Sequence, residues 1–136
     1  MKTLFLDFDG VLHSMSDYLT KPFNRLPLIE DLADIGTLEI VISSSWRFHY
    51  ELQQIKGRLG RLGACVVGTT GDAVRDTHAR YREITNYVSD YRVSDWRALD
   101  DSHWEFPPAT PELIICDPSE GVSAREVKAL NDWLKV

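Results

Sequence analysis

Only two cysteines occur among the 136 residues, Cys65 and Cys116, and each lies in an apolar run, Ala64 to Val67 and Leu113 to Cys116. No disulfide framework can be built from them. Free thiols that pack as small hydrophobes fit a reducing, cytoplasmic setting. Long hydrophobic stretches are missing too. Asp7 and Asp9 interrupt the N-terminal apolar segment, so neither a signal-peptide core nor a membrane span can be built there, and no membrane association is expected. Basic residues are in the minority, 15 against 21 acidic, giving a formal charge of −6. That balance opposes sequence-blind binding to duplex DNA, although a local basic groove remains possible. His13, His49, His78 and His103 have no metal-ligand spacing and no cysteine pair accompanies them, which excludes a zinc site. Gly68-Thr69-Thr70-Gly71 lacks the Lys-Ser/Thr ending of a phosphate-binding P-loop. There is no repeat, low-complexity tract or linker, and the length fits one domain over residues 1–136, its oligomeric state left open.

What is present is a succession of short apolar runs: Thr3 to Phe8, Leu38 to Ile42, Ala64 to Val67, Trp96 to Leu99 and Leu113 to Cys116. Several are nearly continuous rather than alternating, the pattern of parallel strands covered on both faces. Helical spacing fills the intervals. Leu28, Ile29, Leu32 and Ile35 predict a helix over Pro27 to Ile35, and Leu52, Ile55, Leu59 and Leu62 another over Phe48 to Leu62. Ile84, Tyr87, Val88 and Tyr91 predict a third over Arg80 to Tyr91. In the last, Ser123 and Glu126 form a capping box ahead of a Val127, Leu130 and Leu134 stripe. Alternating strands and helices imply an α/β fold around a parallel sheet with right-handed crossovers.

In such sheets ligands bind beyond the carboxyl ends of the strands. Those positions hold Asp7 and Asp9, then Ser43 to Ser45, then Asp100 and Asp101, then Asp117. Asp7 and Asp9 are two apart and share a face of an extended chain. Gly10 follows, where a sharp exit or a close backbone approach to a ligand needs no Cβ. Two carboxylates so close require a bound cation or a shared proton. Adding Asp100 and Asp101 makes the cluster hostile to an anionic phosphate unless a hard divalent ion intervenes, and Mg2+ is the oxygen-seeking ion expected.

Leu4-Phe5-Leu6-Asp7-Phe8-Asp9-Gly10-Val11-Leu12 resembles the first motif of the haloacid dehalogenase-like (HAD) superfamily. The resemblance implies that Asp7 attacks phosphorus and that Asp9 is the general acid/base, the mark of the phosphatase branch. Glu39-Ile40-Val41-Ile42-Ser43 resembles the second motif, with Ser43 hydrogen-bonding the phosphoryl group. Arg80, with Arg82 in reserve and Arg75 nearby, matches the third, and Leu99-Asp100-Asp101 the fourth. By the same resemblance the metal is held by Asp7, the Asp9 carbonyl and Asp100, with Asp101 helping directly or through water. The implied architecture is a three-layer Rossmann-like sandwich with a mainly parallel five-stranded sheet and a minimal cap. Ser-Ser-Trp-Arg at 44–47 also looks like a subgroup of small members proposed to act in RNA repair.

Simpler roles compete at several positions. Ser44 and Ser45 serve as local caps or, in the case of Ser44, touch substrate. Arg47 reaches a second substrate phosphate or forms a surface ion pair. His13, soon after the first motif, borders the site or, on the simpler reading, holds an ordinary loop position, and Trp46, Trp96, Trp104 and Trp133 are expected in the core or at its rim. The expected activity is Mg2+-dependent hydrolysis of a phosphate monoester, either a small ester or a nucleic-acid terminal phosphate. The rivals are a catalytically silent binding module and a phosphotransferase.

Overall fold

The structure is a computed structural model that describes residues 1–73 and 77–135. Arg75 lies outside the described residues. Five strands form the sheet: β1 (Lys2–Leu6), β2 (Leu38–Ile42), β3 (Val66–Thr69), β4 (Trp96–Asp100) and β5 (Leu113–Ile115). Their order is β3-β2-β1-β4-β5, and every neighbouring pair is parallel. Among the described residues three α-helices accompany them: α1 (Leu52–Arg58), α2 (Ala79–Asp90) and α3 (Ala124–Leu134).

Side-chain alternation along the strands sorts the core onto two faces. Leu4, Leu6, Ile40, Ile42 and Leu99 join Ile55, Leu59, Leu130 and Trp133 in the larger cluster, which α1 and α3 cover. Phe5, Val41 and Ala98 point the other way, to Ile84 of α2 and to Phe106. Because both faces are covered, the central strands are nearly unbroken apolar runs, and the three-layer α/β sandwich follows. α3 opens with the expected capping box, the Ser123 N–H donating to Glu126 Oε1 at 3.1 Å.

Two predicted helices are shorter or tighter than their periodicity implies. Leu26–Leu28 and Glu30–Asp34 are two 3-10 segments broken at Ile29 (φ −120°) rather than one α-helix over 27–35. The apolar spacing of Leu28, Ile29, Leu32 and Ile35 is satisfied by two short turns as well as by one helix. The helix expected over 48–62 is α-helical only at Leu52–Arg58, between 3-10 turns at Ser45–Phe48 and Gly60–Cys65. Gly60 stops it by adopting φ +55°, with the Glu30 carboxylate occupying the space a Cβ would need. The third strand accordingly begins later than expected, at Val66. Cys116 is buried as anticipated, whereas Cys65 is only half-buried.

Sheet order reverses beside β1: the chain proceeds outward through β2 and β3, then returns to add β4 and β5 on the other side. The crevice at this reversal, beyond the carboxyl ends of β1 and β4, is where such sheets bind ligands. Hydrogen bonds carry the pairing past the strand ends, Asp7 N–H to Leu99 O at 3.1 Å and Ser43 N–H to Leu6 O at 3.1 Å. Residues 15–25 are turns and bends without helix or strand, so the described residues there form no folded lid.

Candidate active site

Asp7, Asp100 and Asp101 converge at the reversal point. Each offers a carboxylate oxygen, and these oxygens lie within 4.8 Å of one another. All three residues are buried. Gly10 makes the packing possible: at φ +80°, it leaves the Asp101 carboxylate the volume that any Cβ would fill. The close approach expected at Gly10 is therefore made by Asp101.

Arg80 projects from the first turn of α2 into this trio, its Nη1 donating to Asp100 Oδ2 at 2.6 Å and lying 3.5 Å from Asp7 Oδ1. One cation does not neutralise three buried carboxylates. Burial, followed by the charge of Asp100, pushes the Asp7 carboxyl well above its ordinary value despite Arg80. Burial likewise raises Asp101, only partly offset by its hydrogen bond with Asp7. Burial works against the Arg80 charge, but Asp100 and Asp7 more than restore it, so the guanidinium is held protonated. The trio fits a hard divalent cation: its donors are all carboxylate oxygens, with no sulfur or imidazole among them, and its electrostatics call for added positive charge.

Ser43 directly follows β2 and is fully buried, and its hydroxyl has no hydrogen-bond partner among the described residues. A buried hydroxyl left in this condition is an exception that calls for a ligand or an ordered solvent molecule.

Asp9 is arranged differently from Asp7. Its Oδ1 accepts from His13 Nε2 at 2.7 Å and from Trp46 Nε1 at 3.3 Å. The Phe23 N–H donates to His13 Nδ1 at 3.1 Å. An imidazole that accepts at Nδ1 carries its proton on Nε2, the nitrogen that donates to Asp9. The His13 hydrogen bond, with Trp46 adding to it against the effect of burial, lowers the Asp9 carboxyl below its ordinary value. The two aspartates of the first motif are thus driven in opposite directions. The Asp9 carboxylate is not one of the three that gather as a trio.

His13 is not the ordinary loop residue of the simpler reading, since it is completely buried against Asp9. Its position four residues on, across the turn at Gly10, is the signal that could have marked it. Trp46 is half-buried at the rim, as expected, but it also bonds a candidate catalytic side chain.

Arg47 matches neither reading of the sequence. Its Nε donates to Thr70 O, Nη1 to Ser43 O and Ser44 O, and Nη2 to Gly71 O. Nη2 also pairs with Glu83 at 3.0 Å. All five guanidinium N–H groups are engaged by the protein, so none is left for a substrate phosphate or a surface ion pair. Glu83, one helical turn after Arg80, was not singled out by sequence; its other oxygen accepts the Ala73 N–H at 3.2 Å. The Ser44 hydroxyl accepts from the Trp46 N–H at 3.2 Å, the capping alternative at that position. Asp117 is exposed and turns its carboxylate to Ser119 rather than to the site.

The family described as HAD domain in Swiss Army Knife RNA repair proteins matches residues 3–127. The chain belongs to this family. The match spans the whole sheet and both ends of the acidic cluster, and so agrees with the Rossmann-like topology of this HAD domain. No curated protein and no solved structure shows significant similarity to the chain. Among the described residues no helix is long and apolar enough to cross a membrane.

Proposed function

We propose that this HAD domain hydrolyses phosphate monoesters through an aspartyl-phosphate on Asp7, with a nucleic-acid terminal phosphate as the favoured substrate. The observation that carries the reading is the division of labour between two aspartates two residues apart. Asp7 lies among Asp100, Asp101 and Arg80, while Asp9 is held separately by His13 and Trp46.

In the first half-reaction an Asp7 carboxylate oxygen attacks phosphorus in line, the bond from phosphorus to the ester oxygen breaks, and Asp9 gives that oxygen a proton. In the second, water attacks the same phosphorus and passes a proton to Asp9. The bond to Asp7 then breaks, and phosphate leaves. The lowered pKa of Asp9 suits the water-activating half, and the negative charge of an incoming phosphate works in the opposite sense, favouring a proton on Asp9 for the first half. Ser43 and Arg80 would donate to the equatorial phosphoryl oxygens, where preorganised donors act most strongly. Mg2+ held by Asp7, Asp100 and the Asp9 carbonyl, with Asp101 alongside, would supply charge neutralisation and orientation of the phosphoryl group. The family description, which names RNA repair, favours a polynucleotide end over a small ester.

Phosphate release from small esters and from 3′- or 5′-phosphorylated oligonucleotides tests this directly. Release is expected with Mg2+ and not with chelator. Release that persists in chelator removes the metal, transfer to an added alcohol in place of water turns the reading to a phosphotransferase, and silence on every substrate turns it to a binding module.

A further inference from the structure

Two clefts open on either side of Ser45, and their chemistry differs. One, of about 330 Å3, is lined by Arg47, Phe48, Arg80 and three carboxylates, Asp72, Glu83 and Glu105. The Arg47–Glu83 pair cancels, which leaves Asp72 and Glu105 against Arg80 among the described lining residues, so this side keeps an acidic excess. The other, of about 440 Å3, is lined by Asp9, Tyr18, Leu19, Trp46, Tyr50 and Arg58, among others. Its volume is in the range of small-ligand pockets, roughly 300–1,000 Å3.

The second cleft already contains a built stack. Trp46 and Tyr50 lie ring on ring at 4.9 Å and 28°. The Arg58 guanidinium sits 5.6 Å from the Trp46 ring and 5.3 Å from that of Tyr50. Tyr50 and Tyr18 are 38 % and 46 % exposed at the cleft. Among the lining residues Asp9 is the only carboxylate and Arg58 the only guanidinium.

We infer that this cleft is a leaving-group subsite for the terminal nucleoside of a single-stranded polynucleotide end. The inference rests on the reading of Asp9 as the acid that protonates the ester oxygen, because the group attached to that oxygen must then lie on the Asp9 side. Flat rings flanked by a guanidinium hold a nucleobase by stacking without reading its identity. Arg58 stands where the next phosphate of the strand gains a cation, whereas the opposite cleft repels it. A base in a duplex end is already stacked on its neighbour, so the subsite selects ends that can splay. The chain's −6 charge adds no compensating attraction for a duplex.

The test measures kcat/KM on a terminally phosphorylated single-stranded oligonucleotide, its blunt duplex, a phosphoserine peptide and glycerol phosphate, for wild type, Tyr50→Ala and Arg58→Ala. The single strand is expected to lead glycerol phosphate by more than ten-fold, and Tyr50→Ala to cut that ratio by roughly ten-fold, the scale of one lost base stack. Arg58→Ala is expected to weaken the oligonucleotide arm more as salt falls. Equal losses on all substrates, no loss, or preference for the peptide would overturn the inference. Anisotropy of a labelled 5′- or 3′-phosphorylated oligonucleotide with Asp7→Asn protein separates the two readings. Binding weakened by Tyr50→Ala in a protein that hydrolyses nothing keeps the subsite and removes the hydrolase; binding insensitive to Tyr50→Ala removes the subsite.

Discussion

Asp7→Asn is expected to abolish phosphate release, by at least about 10^4-fold in kcat as for other lost nucleophiles, and at the same time to raise Tm in chelator at neutral pH. The two effects share one cause. Asp7 is buried beside Asp100 and Asp101 with Arg80 as the compensating cation, and its carboxyl is pushed well above the ordinary 3.8. A group raised in this way binds its proton more tightly in the folded chain than in the unfolded one. The stability it confers is fully present below 3.8 and is lost as pH rises through the folded value. Asparagine keeps the shape and never ionises, so the gap in Tm over wild type should open as pH climbs from about 4 and persist at 7. At this chain length about 1 kcal/mol corresponds to roughly 3–5 °C. Adding Mg2+ should close the gap by stabilising wild type alone. Calorimetry across pH, with and without Mg2+, checks this; a variant that melts below wild type at every pH would remove the account of a strained acidic trio.

His13→Phe should act through Asp9, and the leaving group should reveal it. The imidazole fills a fully buried site and donates to Asp9 Oδ1 at 2.7 Å, with its Nδ1 accepting from the Phe23 N–H. Phenylalanine preserves much of the volume but removes the donor. Alkyl phosphates need a proton on their departing oxygen, and although Asp9 without His13 holds its proton more tightly, a carboxyl no longer fixed in place delivers it poorly, a loss of general acid catalysis worth about 10^2- to 10^4-fold. Nitrophenyl phosphate expels a weakly basic phenolate and needs little help. Turnover of alkyl esters should therefore fall much further than formation of the aspartyl-phosphate from the aryl ester. The acid limb of the pH profile should also move upward, since the His13 hydrogen bond is the principal cause of the lowered Asp9 pKa. Asp9→Asn should go further and give a burst of one equivalent of nitrophenolate followed by slow release, because water activation is lost too. A uniform decline across leaving groups would assign His13 a purely architectural role.

The strands, the acidic strand ends and a mainly parallel sheet, all-parallel in the structure, were legible because each rests on local pattern: unbroken apolar runs, then a carboxylate or hydroxyl at the turn. Arg80 was legible only as one of several arginines; its contact with Asp100 comes from the placement of α2 against β4. The helix at 27–35 was misread because its apolar spacing serves two 3-10 turns equally well. His13 was legible only as a residue soon after the first motif. Trp46 and Glu83 were invisible as partners for another reason. Each acquires its role from where a neighbour's side chain ends, between the β1 and β2 exits and across the β3 exit, and no one-dimensional spacing encodes that. Arg47 went furthest astray, since a guanidinium beside a serine cluster looks available until its five N–H groups are counted.

That saturated side chain is a polar clasp at the mouth of the site. Arg47 ties the exits of β2 and β3 to Glu83 on α2, and these same segments carry Ser43 and Arg80. Guanidinium ion is chemically the free head group of that clasp and competes for the same carbonyls and the same carboxylate, whereas urea offers no charge to Glu83. Inactivation should therefore run ahead of unfolding as guanidinium chloride is titrated in, while in urea the two should coincide.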